Sequence, residues 1–502
     1  VKPTPEQKDS VDATLTGESV AIVARAGTGK TSTLIQAAHA NASRFGAYVV
    51  FNKDNATEAK ERFPGTVKVG TAHSFAYARK AIPFKHKLSS SAPRVTNTQL
   101  AEMLGLQGMV FDNPVTREPK LLSASFIASH LKDALSNFCQ SADQMPVAAH
   151  FAPVLGLDCD GKSTNGKGVR GPNNRALAES LLPVLRRAWE RTIDPGSAMP
   201  FTHDVYLKLW QLDPNPVINA DYIMLDEAQD ANPVMLDILR RQKGQLILVG
   251  DQHQQIYSWR GAINAMESVP VKHRCHLTQS FRFGPAIAEQ ANEVLISLGE
   301  THLIRGTNTI KSSIGYAKHP DAILLRTNAE AVRLAIREVA AGRRPCVTRD
   351  CEEVIRFARA AEELRMTEKT NFPQLAAFKT WEEVQDYADS DAGGDLKSSV
   401  KLVDEFGADQ ITYALSRCVK EEQNPDVILS TAHKSKGREW NDVKIGTDFK
   451  DPDAENYSQE ESRLLYVALT RAKNRLDPTG CEALATIKKQ NIEARETAAT
   501  PR

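Results

Sequence analysis

Apolar residues along this chain fall into two kinds of pattern. SVAIVAR (Ser19 to Arg25), AYVVFN (Ala47 to Asn52) and TVKVGT (Thr66 to Thr71) are short β-branched runs, each reading as a buried strand bounded by turn residues. YIMLDE (Tyr222 to Glu227) and QLILVG (Gln245 to Gly250) repeat the pattern much later. Strands alternating with helical patterns predict a parallel sheet covered on both faces. DAILLRT (Asp321 to Thr327), DVILST (Asp426 to Thr431) and DVKIG (Asp442 to Gly446) predict a second α/β core, with the break near Cys275. Each core is interrupted. From Ala81 to about Phe201 the spacing turns helical, as in LLSASFIASHLKDAL and ALAESLLPVLRRAWERT, and from about Thr348 to Asn424 it is helical and charge-rich, with DSDAGGD (Asp389 to Asp395) as its turn. DGKSTNGKGVRGPNNR (Asp160 to Arg175) reads as an exposed loop whose cations Lys162, Lys167, Arg170 and Arg175 could touch phosphate, a solvated loop being the plainer reading. From about Glu482 one amphipathic helix and a frayed tail are expected. There is no repeat of solenoid period.

At about 100–200 residues per domain, 502 residues imply three or four domains. Lys plus Arg (63) balances Asp plus Glu (62), so any nucleic-acid contact must be a local groove, not a basic body. Seven scattered cysteines without a C-x-x-C pair argue against a disulfide framework, a zinc ribbon or an iron–sulfur site, and for a reducing compartment. No apolar run approaches the roughly 18 residues of a membrane span, and VKPTPEQKDS is too polar for a signal peptide.

The chemistry concentrates in two places. ARAGTGKT (Ala24 to Thr31) follows a strand and opens a helix, where glycines turn backbone N–H groups toward an anion and the helix dipole favours it. Lys30 would sit against the β- and γ-phosphates, and Thr31 would place its hydroxyl on Mg²⁺. The general pattern wants Gly where Ala24 stands, so by the strict form the loop is a near miss. Asp226 and Glu227 end a buried strand in LDEAQD (Leu225 to Asp230), where an acidic pair needs a cation. Asp226 suits a Mg²⁺ ligand and Glu227 a general base polarising the attacking water. Taken singly, the loop could be an ordinary Gly-rich turn and the acids an ordinary helix start. Together they predict an ATP site.

With these strings in place, the chain resembles superfamily 1A helicases of the UvrD/Rep type along nearly its whole length. The resemblance rests on TPEQ (Thr4 to Gln7), the phosphate loop in the family's A-x-x-G-x-G-K-T form, LDEAQD, VGDQHQQIYSWRGA (Val249 to Ala262), LTQSFRF (Leu277 to Phe283), STAHKSKGREW (Ser430 to Trp440) and EESRLLYVALTRAK (Glu460 to Lys473). In that form Ala24 ceases to be a defect, while Arg25 stands where a small or apolar residue is usual. VVFNK (Val49 to Lys53), GTAHSFAY (Gly70 to Tyr77) and the H-Q-Q-I-Y string look like the F-box DNA helicase branch. The motif at Thr4 opens the sequence, so no F-box and no ubiquitin-ligase role is expected; nor is a nuclease fusion, since the chain ends shortly after Lys473.

The resemblance implies an α/β fold of two RecA-like parallel-sheet P-loop domains, each with a mainly helical insertion. Residues 1–80 and 202–275 would form domain 1A with the ATP site, 81–201 insertion 1B, 276–347 and 425–485 domain 2A, 348–424 insertion 2B and 486–502 a tail. It implies that Gln7 reads the adenine edge, Phe281 stacks on the base, Glu439 meets the ribose, and Ala26, Gly27, Thr28, Gly29, Lys30, Thr31 and Ser32 cradle the phosphates. Gln254 would face the γ-phosphate, and Arg282 and Arg471 would act as arginine fingers from the second core, coupling cleft closure to hydrolysis. DNA would meet Asn52, Thr71, His73, Tyr257, Trp259, Arg260, Arg326, Thr431 and His433, with aromatic rings gripping bases without reading them.

The expected activity is therefore ATP- and Mg²⁺-dependent 3′–5′ movement on single-stranded DNA with duplex unwinding, in DNA repair, recombination or replication. One rival is a translocase that strips proteins such as recombinase filaments. The other, of a different class, is a non-hydrolysing ATP-binding scaffold. Single-strand-binding or recombinase proteins are the expected protein partners, in a cytoplasmic, nucleoid-associated or nuclear setting. Phe449 and Tyr457 are candidates for a strand-separating pin. Asp477 and Pro478 are expected to break the strand that follows the last motif.

Overall fold

The computed structural model describes residues 2–51, 53–89, 95–112, 119–158, 171–257, 263–348, 352–389, 394–455 and 457–499. It holds two six-stranded parallel sheets. The first runs in the order Val67–Thr71, Gly46–Val50, Tyr222–Leu225, Gln245–Gly250, Val20–Ala24, His273–Leu277. Its four central strands are buried along their whole length, which is why they read as unbroken apolar runs. The second sheet runs Pro345–Val347, Val427–Thr431, Ala322–Leu325, Trp440–Ile445, Ala472–Asp477, Ser313–Ile314. This is the expected α/β class with two RecA-like cores.

Two details differ from the pattern read along the chain. Cys275 marks no break: it lies mid-strand in His273–Leu277, paired with Ile22, so the first sheet continues to Leu277. HRCHL is an edge strand, half exposed, and so lacks the Val/Ile signature. Asp477 does not break its strand but ends it. Fully buried, it accepts hydrogen bonds from the Ala317 and Thr479 N–H groups, and Pro478 falls in the turn beyond. The last stretch is a helix, Glu482–Ala499, packed on helix Pro285–Ser297, where Asn491 donates to the Glu293 carbonyl.

Contacts divide the chain into two compact units. One contains both sheets and the C-terminal helix (Val1–Phe75, Pro214–Thr348, Cys418–Arg502), the other both interruptions (Ala76–Asp213, Arg349–Arg417). The second unit is mainly helical, built on Ala124–Gln140, Pro172–Thr192, Glu352–Thr367 and Gly394–Arg417, with a small antiparallel hairpin. Ala377 enters the core formed by Leu131, Leu181 and Leu185, and Lys120 pairs with Glu383 at 2.9 Å. No helix among the described residues is long and apolar enough to cross a membrane.

Candidate active site

Parallel α/β sheets present their loops at the carboxyl ends of the strands, and the predicted site assembles there. The phosphate loop follows Val20–Ala24, the acidic pair follows Tyr222–Leu225, Asp251 follows Gln245–Gly250, and Phe281 follows His273–Leu277. Gly27 and Gly29 have φ of 72° and 78°, the left-handed region open to glycine, and Gly29 caps helix Lys30–Ala40. Lys30 and Glu227 form a 2.7 Å ion pair. Glu227 itself is held at φ 53°, a costly conformation for a non-glycine residue, which aims its carboxylate across the loop.

Thr31 Oγ1 lies 3.2 Å from Asp226 Oδ2, and the Tyr48 hydroxyl donates to that same oxygen at 2.6 Å. Burial, with the adjacent Glu227 charge, raises the Asp226 carboxyl above the ordinary aspartate range, so an approaching cation would be favoured. Burial alone would also raise Glu227, but Lys30 and Lys436 outweigh it and hold that carboxyl down at about 2. Two hard oxygens side by side fit Mg²⁺, which takes few protein ligands and fills its shell with phosphate oxygens and water, better than a metal needing an all-protein cage. No larger His/Cys/Asp/Glu cluster suited to a metal occurs among the described residues.

The second core reaches this loop at several points. The Phe281 N–H donates to the Gly27 carbonyl at 2.8 Å, and the half-exposed Phe281 ring lies over Gly29 beside the Gln7 amide. Gln7 is fixed by a reciprocal cap with Thr4 and by donation to Thr33 Oγ1 at 3.2 Å. Arg282 Nε pairs with Glu439 at 2.7 Å, and its NH1 donates to the Thr470 carbonyl. Arg471 is buried, donating to the Val467 and Arg438 carbonyls and the Thr470 hydroxyl. Burial and the neighbouring Arg282 guanidinium push its pKa down to about 9. Two neighbouring guanidiniums, one of them packed against Gly27, form a cationic site suited to an anion.

Gln254 is buried and donates to Asp251 Oδ2 at 2.8 Å, while its carbonyl accepts from Lys436 Nζ at 2.7 Å. Lys436 also binds Asp230, whose carboxyl burial pushes up to about 6, and it lies 5.3 Å over the Tyr257 ring. The Tyr257 hydroxyl donates to the His433 carbonyl at 2.9 Å. Thr71 and Thr431 each end a strand, with His73 and His433 in the short helices that follow. Asn52, Trp259 and Arg260 lie outside the described residues, as do Lys162, Lys167 and Arg170. Arg326 is engaged by Glu461, which takes its Nε and NH2 at 2.7 and 2.8 Å. Phe449 is no pin: it is buried in the core of the second sheet, where an apolar ring is most stable. Tyr457 is half-buried against Ser462.

Several residues at the site carry no signal of their role in the local sequence. Tyr48 looked like an ordinary strand residue, and alternation along Gly46–Val50 carried no sign of its hydroxyl's partner. Tyr466 stood in a matched string, yet its contact was invisible there: it accepts from the Ala26 N–H and donates to Asp251 Oδ2. Arg25, noted as out of pattern, is 1% exposed, with Nε on the His302 carbonyl at 2.9 Å and NH2 2.5 Å from Glu300. Stranding either buried charge would cost about 3–5 kcal/mol.

Comparison with known proteins agrees with this geometry. Residues 217–268 match the UvrD/REP helicase N-terminal domain, and residues 309–481 match the UvrD-like helicase C-terminal domain. F-box DNA helicase protein 1 of Schizosaccharomyces pombe is 31% identical over 94% of this chain and 57% of its own length. F-box DNA helicase 1 of Gallus gallus is 31% identical over 91% of this chain and 47% of its own. The chain thus spans about half the length of these curated relatives. DNA helicase IV of Escherichia coli is 28% identical over 33% of the chain and 28% of its own length. With both domains matched in order, and the acidic pair and the second-core arginine string inside the matched segments, the chain belongs to the UvrD/Rep-type superfamily 1A helicases.

Proposed function

We propose that this chain is an ATP- and Mg²⁺-dependent motor that moves 3′ to 5′ on single-stranded DNA and unwinds duplex, in DNA repair, recombination or replication. The observation that carries the reading is Arg282 packed against Gly27 of the phosphate loop, with the buried Arg471 charge close enough to Arg282 to be felt by it. Two guanidiniums supplied across a cleft stabilise a transferring phosphoryl group only while that cleft is closed, which couples hydrolysis to motion. Lys30 must leave Glu227 to reach a phosphate, which frees the Glu227 carboxylate to orient water. Glu439 must likewise release Arg282, and it is then available to a ribose hydroxyl. Thr31 and Asp226 would hold Mg²⁺, which neutralises charge on the β- and γ-phosphates. Phe281 and Gln7 form the base end of the site, one offering a ring face and the other an amide.

The names of the relatives support DNA as the substrate, and the Tyr257, His433 and Lys436 group supports a strand path next to Gln254. Single-strand-binding or recombinase proteins are the expected partners on the strand. The test is ATP-dependent unwinding of one duplex carrying either a 3′ or a 5′ single-stranded tail, with Lys30→Ala as the inactive control. Product from the 3′-tailed substrate alone is expected. Product from the 5′ tail alone would reverse the polarity. DNA-stimulated hydrolysis without product would make protein stripping the main activity, and no hydrolysis at all would leave a nucleotide-binding scaffold.

A further inference from the structure

Arg25 is a full charge placed inside a phosphate loop, and none of the steps above uses it. It is 1% exposed, and buried carboxylates of Asp251 and Glu300 face its guanidinium. Glu300, from the second core, faces the guanidinium with Oε2 and also accepts from His253 Nε2 at 2.9 Å and Gln252 Nε2 at 3.1 Å. Its other oxygen accepts the Thr301 and His302 N–H groups, so the carboxylate is held rigidly. Asp251 Oδ1 lies 3.7 Å from Arg25 NH1. The other oxygen of Asp251 accepts from Gln254 Nε2 and from the Tyr466 hydroxyl.

We propose that Arg25 is a positioning residue that transmits the placement of the second core to the γ-phosphate end of the ATP site. It does so through the Glu300–Arg25–Asp251–Gln254 chain of charges and hydrogen bonds. A buried ion pair responds to displacement in an all-or-none way, because a guanidinium without its carboxylate has no water to fall back on. When Glu300 moves with the second core, Arg25 and the loop that carries it must follow or lose the pair. Asp251 then shifts with Arg25 and re-aims the Gln254 amide. Tyr466 reinforces the link from the same core, touching Asp251 and the Ala26 N–H at once. The arginine in place of a small loop residue thereby gives this chain a direct connection from loop to second core.

The inference rests on the motor reading, and the wild-type chain tests that reading in the same experiment. ATP turnover is measured with and without single-stranded DNA for wild type, Arg25→Met/Glu300→Gln, Arg25→Lys and Glu300→Gln. The paired variant removes the Arg25 and Glu300 charges together at nearly constant volume, and Asp251 keeps its bonds from the His253 N–H, Gln254 and Tyr466. Its DNA stimulation ratio is expected to fall about 5-fold or more, the lower end of ordinary coupling between sites. Arg25→Lys should recover part of the ratio, since an ammonium keeps one of the two second-core contacts. If the paired variant fails to fold, Glu300→Gln alone, whose one remaining oxygen can still accept the Thr301 and His302 N–H groups, is expected to lower the ratio in the same direction. A merely structural prop would lower both rates together and leave the ratio alone. That result, or a wild-type ratio in a folded variant, overturns the proposal, whereas absence of stimulation in wild type overturns the motor reading itself.

Discussion

Replacing Tyr48 with Phe removes a single oxygen from the back of the proposed metal site. The ring would stay in place, because it is 1% exposed and stacked on Phe63 with centroids 4.4 Å apart. What is lost is the 2.6 Å hydrogen bond to Asp226 Oδ2, the oxygen that also faces Thr31. Burial already raises the Asp226 carboxyl, and the Tyr48 bond is one of the influences opposing that rise. A hydrogen bond to a charged group is worth about 1.5–3 kcal/mol, which at about 1.4 kcal/mol per decade converts to roughly 10–150-fold. Outer-shell partners of metal ligands typically cost 10–100-fold when removed, so the two routes agree. The half-saturating Mg²⁺ concentration should therefore rise by about 10–100-fold. Two readouts report it: ATP turnover against Mg²⁺, and the thermal shift produced by Mg²⁺ at fixed ADP, which requires no catalysis. Mg²⁺ curves that superimpose on wild type, in a variant of unchanged melting temperature, would refute the reasoning.

Two further perturbations follow from the same geometry. Gly27→Ala would put a Cβ 2.6 Å from Arg282 Cβ and 2.7 Å from Ser280 Oγ, at a φ of 72°. The left-handed cost alone is about 1–2 kcal/mol, and relief would push the finger segment away from the loop, so turnover should drop sharply; steady-state kinetics showing a wild-type rate would contradict the placement of Arg282. For Glu300, burial would raise the carboxyl, but the His253 and His302 bonds and the Arg25 charge win and hold it at about 2, against an ordinary value of 4.5. A lowered folded-state pKa contributes stability that is present above about 4.5 and lost as the pH falls from there toward 2. Glu300→Gln should accordingly be less stable at neutral pH by about 3 kcal/mol, the low end for a broken buried pair because Asp251 remains near Arg25. That deficit should shrink below pH 4.5; urea unfolding across pH 3–7 checks it, and a deficit independent of pH would mean that Glu300 is not held ionised.

How far the sequence reaches depends on whether a residue's role is local. The buried strands were legible because a parallel strand covered on both faces must be apolar throughout, as Val20–Ala24 and Tyr222–Leu225 are. The edge strand His273–Leu277 was not, since half of it meets solvent and its pattern is polar. Lys30, Asp226 and Glu227 could be found because a phosphate loop and an acidic strand end are each contained in a few consecutive residues. Arg282 and Arg471 needed the family resemblance, as nothing near either residue says what it faces. The pin expected at Phe449 failed for the same reason: an aromatic in a loop-like string looks the same whether it projects or packs.

The class of fold, the phosphate loop with its acidic pair, and the family were all legible in short-range spacing along the chain. Folding alone brings Tyr48 to Asp226, joins Tyr466 and Arg25 at Asp251, and closes the network with Glu300 from a position 275 residues away from Arg25. These contacts join side chains distant in sequence, and their strength comes from burial. Low local dielectric makes each charge or hydroxyl worth far more than the same group in solvent, and burial is a property of the packed molecule.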